Sequence, residues 1–152
     1  MTAVDVPTTL DHEGIRDRIP HRWPVLLLDR MTDIKPGRSA RGIKNVASTE
    51  SWFQGHFPDQ AVLPGVVIIE SLAQLSGVVF SMGGAGPISF LAGVRSMRFR
   101  KPVVPGDQLL LYTERTAGGA GFAEFKVSAR VGNTVVAEGS VAISDPSPIE
   151  RN

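Results

Sequence analysis

No cysteine occurs among the 152 residues, which excludes a disulfide framework, a thiolate metal site and a cysteine nucleophile together. Net charge is nearly absent too. Sixteen Lys and Arg stand against fifteen Asp and Glu, so no global field draws in nucleic acid or a membrane surface. An acidic partner would have to meet a local patch. No apolar run reaches the ~20 residues that a bilayer-spanning helix needs; the most apolar segment, Val66 to Phe80, is interrupted by Glu70 and Gln74. The N-terminal MTAVDVPTTLDHEG has an early acid, a proline and no apolar core of signal-peptide length, so a soluble cytoplasmic protein is expected. Linkers, internal repeats and low-complexity blocks are also missing.

The composition that remains is that of an ordinary globular protein, 42% hydrophobic and 20% charged, with length for one core and too little for two. One domain over 1–152 is expected, with loose tails at 1–12 and 146–152. A short helical turn falls around Gly14 to Arg18 and stops at Ile19-Pro20. VLLLDRMTDI, from Val25 to Ile34, is consistent with a strand. Pro36-Gly37 marks a turn, and Ser39 to Ala47 reads as the returning strand. Gly83, Gly84, Gly86 and Pro87 break any helix before strand-like material resumes from Ile88 through Phe99. Period two is clearest where Phe125, Val127, Ala129 and Val131 share one face and Lys126, Ser128 and Arg130 the other. Gly132-Asn133 then predicts a tight hairpin into TVVAEGSVAIS, while Gly118, Gly119 and Gly121 form a looser link from DQLLLYTERTA. A helix apolar on nearly every side must be covered on nearly every side. These elements therefore predict an α+β domain, an antiparallel sheet wrapped around one long central apolar helix.

The stretch WFQGHFPDQAVLPGVVIIESLAQ, Trp52 to Gln74, carries the chemistry. Pro64 supplies a pre-set φ and Gly65 permits close backbone approach, so a helix starts there with its first amides unpaired. Before it lies Gly55-His56-Phe57-Pro58, a loop rigid enough to aim a histidine. Glu70 sits about one and a half turns into the helix, with Gln74 one turn later on the same face. A carboxylate among aliphatics must be paired, hydrogen-bonded or neutral, and a neutral carboxylic acid can donate a proton. Histidine is the complementary base, and a helix N-terminus suits an oxyanion. Together these suit chemistry that forms an enolate from a carbonyl compound. A lone loop histidine is more often structural or solvated, and a glutamate in an apolar helix can simply face a subunit boundary. Their joint placement around one Pro-Gly helix start sets the catalytic pair level with those readings.

From Ile19 to about Ser144 the sequence resembles the 3-hydroxyacyl-(acyl-carrier-protein) dehydratases of type II fatty acid synthesis, which have the hot-dog fold. IPHRWPVLLLDR, FQGHFP followed by LPGVVIIESLAQ, and LAGVRSMRFRKPVVPGDQL carry the likeness. The resemblance implies a hydro-lyase that converts 3-hydroxyacyl thioesters to trans-2-enoyl thioesters, with His56 as base for the α-proton and Glu70 as acid for the departing hydroxyl. The Gly65 amide would polarise the thioester carbonyl, with Val66 beside it, and Gln74 would orient Glu70. It also implies a homodimer or trimer of dimers in which His56 of one subunit meets Glu70 of the other, or a heterodimer with a paralogue. No metal or organic cofactor is implied, since the phosphopantetheine arm arrives on the acyl carrier protein. Arg95, Arg98, Arg100 and Lys101 are the candidate docking patch for that acidic partner, against the alternative of a solvated strand edge. His21 and Arg22 look structural.

Several features depart from the family pattern: the short SMGGAGPIS connection, Trp52, Asp59-Gln60, and Phe90 where an aromatic gates the acyl tunnel. They fit a specialised paralogue of a polyketide or polyene pathway. A hot-dog thioesterase and a non-catalytic subunit that binds acyl carrier protein are the alternatives. Isomerisation to the cis-3 product ranks lower, because the bifunctional relatives carry aspartate where this chain has Glu70.

Overall fold

The computed structural model describes residues 5–146, so residues 147–152 of the expected C-terminal tail, and residues 1–4 of the N-terminal one, lie outside the described residues. The Asp11 carboxylate accepts the Gly14 amide at 2.9 Å and caps helix α1, His12–Arg16. Here the expected loose start is corrected. Leu10 exchanges backbone hydrogen bonds with Met31 and buries its side chain, and the Thr8 carbonyl accepts the Ile34 amide at 3.0 Å. The segment covers the outer edge of the sheet's first strand, which would otherwise present unpaired backbone groups.

That strand, β1, is Arg30–Lys35 and does not begin at Val25. Ahead of it the Leu26 amide turns back to the Arg22 carbonyl, and the Gln74 side chain accepts the Leu27 amide at 2.9 Å and donates to the Val25 carbonyl at 2.7 Å. The chain therefore joins its neighbouring strand only from Asp29, whose amide donates to the Ile43 carbonyl at 2.8 Å. β2, Ser39–Asn45, returns as expected, and the long helix α2, Gly65–Met82, follows a 3-10 turn at Ser51–Gln54. β3 (Phe90–Phe99), β4 (Gln108–Gly118), β5 (Phe122–Val131) and β6 (Thr134–Ser144) complete one antiparallel sheet in the order β1-β2-β4-β5-β6-β3. β5 and β6 meet through the Gly132-Asn133 turn, where Gly132 takes φ +57° and Val131 pairs with Thr134.

Alternation puts Phe125, Val127 and Ala129 inside and Lys126 and Arg130 outside. The inner face closes over α2, whose Leu72, Leu75, Val78, Val79 and Phe80 pack with Leu109, Leu111, Phe125 and Ile143 in one buried cluster. Each such side chain contributes about 1.5–3 kcal/mol by leaving water. The two serines deepest in α2 bond back to their own helix, Ser71 to the Val67 carbonyl and Ser76 to that of Leu72, both at 2.8 Å. Ser76 also meets the fully buried Thr113 hydroxyl of β4 at 2.7 Å. Contrary to the expectation that no apolar run is long enough, the 18 residues of α2 are by length and composition able to cross a bilayer, but 61% of them lie buried inside the fold, as in a core helix.

Candidate active site

His56 is aimed by its backbone and by one strong hydrogen bond. Its amide donates to the Trp52 carbonyl at 2.9 Å as the 3-10 turn ends, and Phe57 then takes φ +58°, a conformation uncommon for a bulky residue. Nδ1 of His56 lies 2.6 Å from the Val62 carbonyl. A carbonyl oxygen can only accept, so Nδ1 carries the proton and Nε2 is left as the basic nitrogen. The loop beneath is braced by Lys44, buried and paired with Glu50, whose other oxygen accepts the Ala47 amide at 2.9 Å.

The start of α2 faces the same space. No side chain caps the helix and no acidic residue occupies its first turn; Val67 donates to the Pro64 carbonyl at 2.9 Å, which leaves the Gly65 and Val66 amides as the donors at the helix start. A Cβ at Gly65 would come within 2.9 Å of the Phe99 ring, so a larger residue there would have to displace that half-exposed ring. His56, Gly65, Val66, Ile69, Phe99 and Lys101 line one open cavity of about 460 Å³, a size suited to a small-molecule ligand.

Glu70 points elsewhere. At about 100° per residue it lies roughly 140° around the helix from Gly65, and with His21, Gln74, Gly77 and Ser89 it lines a second, narrow cavity of about 30 Å³. Gln74 is only 2% exposed and uses its amide fully. Because its oxygen accepts the Leu27 amide, its nitrogen is the donor both to the Val25 carbonyl and, at 3.0 Å, to Glu70 Oε1. Glu70 itself is held at partial exposure at the cavity mouth, with His21 Nε2 at 3.6 Å from the same oxygen. Within one chain, then, His56 and Glu70 open onto different cavities.

The remaining sequence candidates divide. Val66, 71% exposed, lies beside Gly65 in the His56 cavity, and so do Arg100 and Lys101. Phe90 lies in neither cavity; alternation on β3 turns its neighbours Ser89 and Leu91 towards Glu70 and Phe90 away. The basic patch is broken up by carboxylates from β5 and β6. Arg95 pairs with Glu124 at 3.6 Å and Arg100 with Glu138 at 2.6 Å, which leaves Arg98 and Lys101 without a carboxylate partner among the described residues. Glu138 is correspondingly held below the usual carboxylate range, first by the Arg100 hydrogen bond and then by its charge. Arg22 is taken up by backbone carbonyls of Ile19, His21 and Arg16. His21 beside Glu70 and Phe99 over Gly65 carry no spacing signal that would have marked them. Among the described residues no cluster of three or more His, Asp or Glu is placed to hold a metal.

A six-stranded antiparallel sheet closed over one long helix is the hot-dog fold, and solved structures of that fold superpose on the chain. The dehydratase heterocomplex ApeI:P from Xenorhabdus doucetiae aligns with a TM-score of 0.74 at 19% identity, over 88% of this chain and 91% of that one. Cj0977, a sigma28-regulated virulence protein from Campylobacter jejuni, aligns at 0.70 and 17% identity, over 91% of this chain and 93% of that one. The chain belongs to the FabA-like domain family, whose model matches residues 19–140. It is 45% identical over 150 residues to the 3-hydroxyacyl-(acyl-carrier-protein) dehydratase FabZ of Granulibacter bethesdensis, spanning 95% of this chain and 88% of that protein. To the proteins of the same name from Rhodospirillum rubrum and Listeria monocytogenes it is 43% identical over 149 residues and 44% over 140, spanning 94% and 90% of this chain and 93% and 97% of theirs.

Proposed function

We propose that this chain, acting as one domain in the cytoplasm, eliminates water from 3-hydroxyacyl-acyl-carrier-protein thioesters to give trans-2-enoyl thioesters in fatty acid biosynthesis. The observation that carries the reading is the fixed tautomer of His56, a base at Nε2 in the cavity that holds the amides of a helix start. The named activity of relatives near 45% identity supports it. The helix amides receive the thioester carbonyl, His56 Nε2 removes the α-proton, and a Glu70 carboxylic acid gives its proton to the departing 3-hydroxyl, which leaves as water. Water elimination is redox-neutral and the thioester acidifies its own α-carbon, so the reading calls for no metal or organic cofactor. The pantetheine arm arrives with the carrier protein, for which Arg98 and Lys101 are the cations with no carboxylate partner among the described residues.

Glu70 reaches that cavity from a second subunit in this reading, as an isologous dimer allows. What supports the pairing is the free edge strand β3 with Leu91 and Val94 half-exposed, next to the exposed Phe99 and Val66. The short SMGGAGPIS connection fits a paralogue serving polyketide or polyene synthesis, which would show as a preference for unusual acyl chains.

Mass spectrometry of 3-hydroxyacyl-carrier-protein substrates incubated with the protein tests the activity. Loss of one water, reduced roughly 10²–10⁴-fold in His56→Ala and in Glu70→Gln, is expected. Release of free acid would establish a thioesterase instead, and an unchanged mass with every chain length a non-catalytic binding subunit.

A further inference from the structure

Resting on the dehydratase reading, we propose that His21 is a positioning residue for Glu70, holding Oε1 as an acceptor so that the acidic proton resides on Oε2. Gln74 sets up the asymmetry. Its oxygen is committed to the Leu27 amide, so only its N–H faces Glu70 Oε1, at 3.0 Å. A protonated oxygen there would meet a donor, whereas an accepting one makes a bond. His21 Nε2 approaches the same oxygen at 3.6 Å from the opposite segment, a separation that active-site hydrogen bonds without substrate commonly show and then shorten.

The other imidazole nitrogen supports this arrangement. Nδ1 of His21 is buried with no hydrogen-bond partner. With the proton on Nε2, facing Glu70, Nδ1 is a bare lone pair. The opposite tautomer would bury an unpaired N–H and turn a lone pair onto the oxygen, which is worse on both counts. Among the described residues no other charged group faces the cavity: Ser89, Leu91 and Ile143 line it from the sheet side, Ser89 with a hydroxyl that makes no hydrogen bond to Glu70, and Arg22 on the same segment is turned to backbone carbonyls. His21 itself is carried on the segment whose Val25 and Leu27 backbone Gln74 ties to α2, so one residue fixes the carboxyl and its second donor alike.

Two variants of similar bulk test the assignment in the intact protein with 3-hydroxyacyl-carrier-protein. His21→Phe fills the site without a donor and should lose roughly ten- to a hundredfold in kcat, with KM unchanged, because the contact matters for proton donation rather than for substrate binding. His21→Gln places an amide nitrogen near the Nε2 position and should recover kcat to within about threefold of wild type. His21→Phe at the wild-type kcat, His21→Gln as slow as His21→Phe, or a loss confined to KM would each overturn the proposal. Wild-type protein that removes no water at all would instead defeat the functional reading on which it rests.

Discussion

Replacing Gln74 by leucine keeps the volume of a side chain that is 2% exposed and removes three hydrogen bonds, at 2.7, 2.9 and 3.0 Å. The Val25 carbonyl and Glu70 lie near solvent and can rehydrate, but the Leu27 amide belongs to a buried residue and loses its acceptor. An orphaned buried amide costs about 1–3 kcal/mol and each lost net hydrogen bond about 1. The sum is about 3–5 kcal/mol, with no cavity term because the volumes match. For a chain of this size that corresponds to a fall in Tm of about 6–20 °C, read by circular dichroism at fixed protein concentration. Gln74→Glu gives the control. It retains the acceptor for Leu27 but loses both donors and sets a second carboxyl against Glu70. Burial and the like charge raise the folded-state pKa of the new group, so its deficit should shrink as the pH falls and the group becomes a donor again. A Tm change under about 2 °C in Gln74→Leu would refute the view that this amide holds the 25–29 segment to the helix.

Ser76→Ala should destabilise by about 1–2 kcal/mol, since it strips the fully buried Thr113 hydroxyl of its partner. Thr113→Val should cost less, because Ser76 keeps the Leu72 carbonyl; urea unfolding of both variants reads the difference. In Arg100→Gln the titration of the Glu138 carboxyl, followed by NMR, should move back up towards its ordinary range, Arg100 being the main cause of its depression. A depressed folded pKa gives stability that is present above the unfolded carboxylate pKa and lost as pH falls through the folded one. The small stability difference between Arg100→Gln and wild type should therefore vanish in acid, and a difference that grows there would contradict the pairing.

Elements held by local rules were legible in the sequence. The alternation from Phe125 to Val131, the Gly132-Asn133 turn and the Pro64-Gly65 helix start each carry their own signal within a few residues, and each stands where expected. Those that depend on distant partners were not. VLLLDR has the composition of a strand, but its first residues turn back onto the Arg22 carbonyl and a glutamine 47 residues on from Leu27 takes that residue's amide. Leu10 sits in a polar stretch and is ordered by Met31. His56, Glu70 and Gln74 could be singled out because a polar group beside or inside an apolar run demands a reason. Arg95 and Arg100 could be seen as basic, but the carboxylates that take them up, Glu124 and Glu138, lie on other strands and 29 and 38 residues onward. Phe90 needed the phase of β3, which a strand exposed on most of both faces does not reveal.

Mixing two inactive variants tests the composite site most directly. If the proposed two-chain site holds, homodimers of His56→Ala and of Glu70→Gln would each lack one half of every site, whereas a mixed dimer would regain one site with both groups intact. Random exchange of subunits should therefore restore about a quarter of the wild-type dehydration rate, as two-fold pairing requires. Failure to recover any activity after verified exchange, with wild-type protein active in the same assay, would contradict a site shared between two chains.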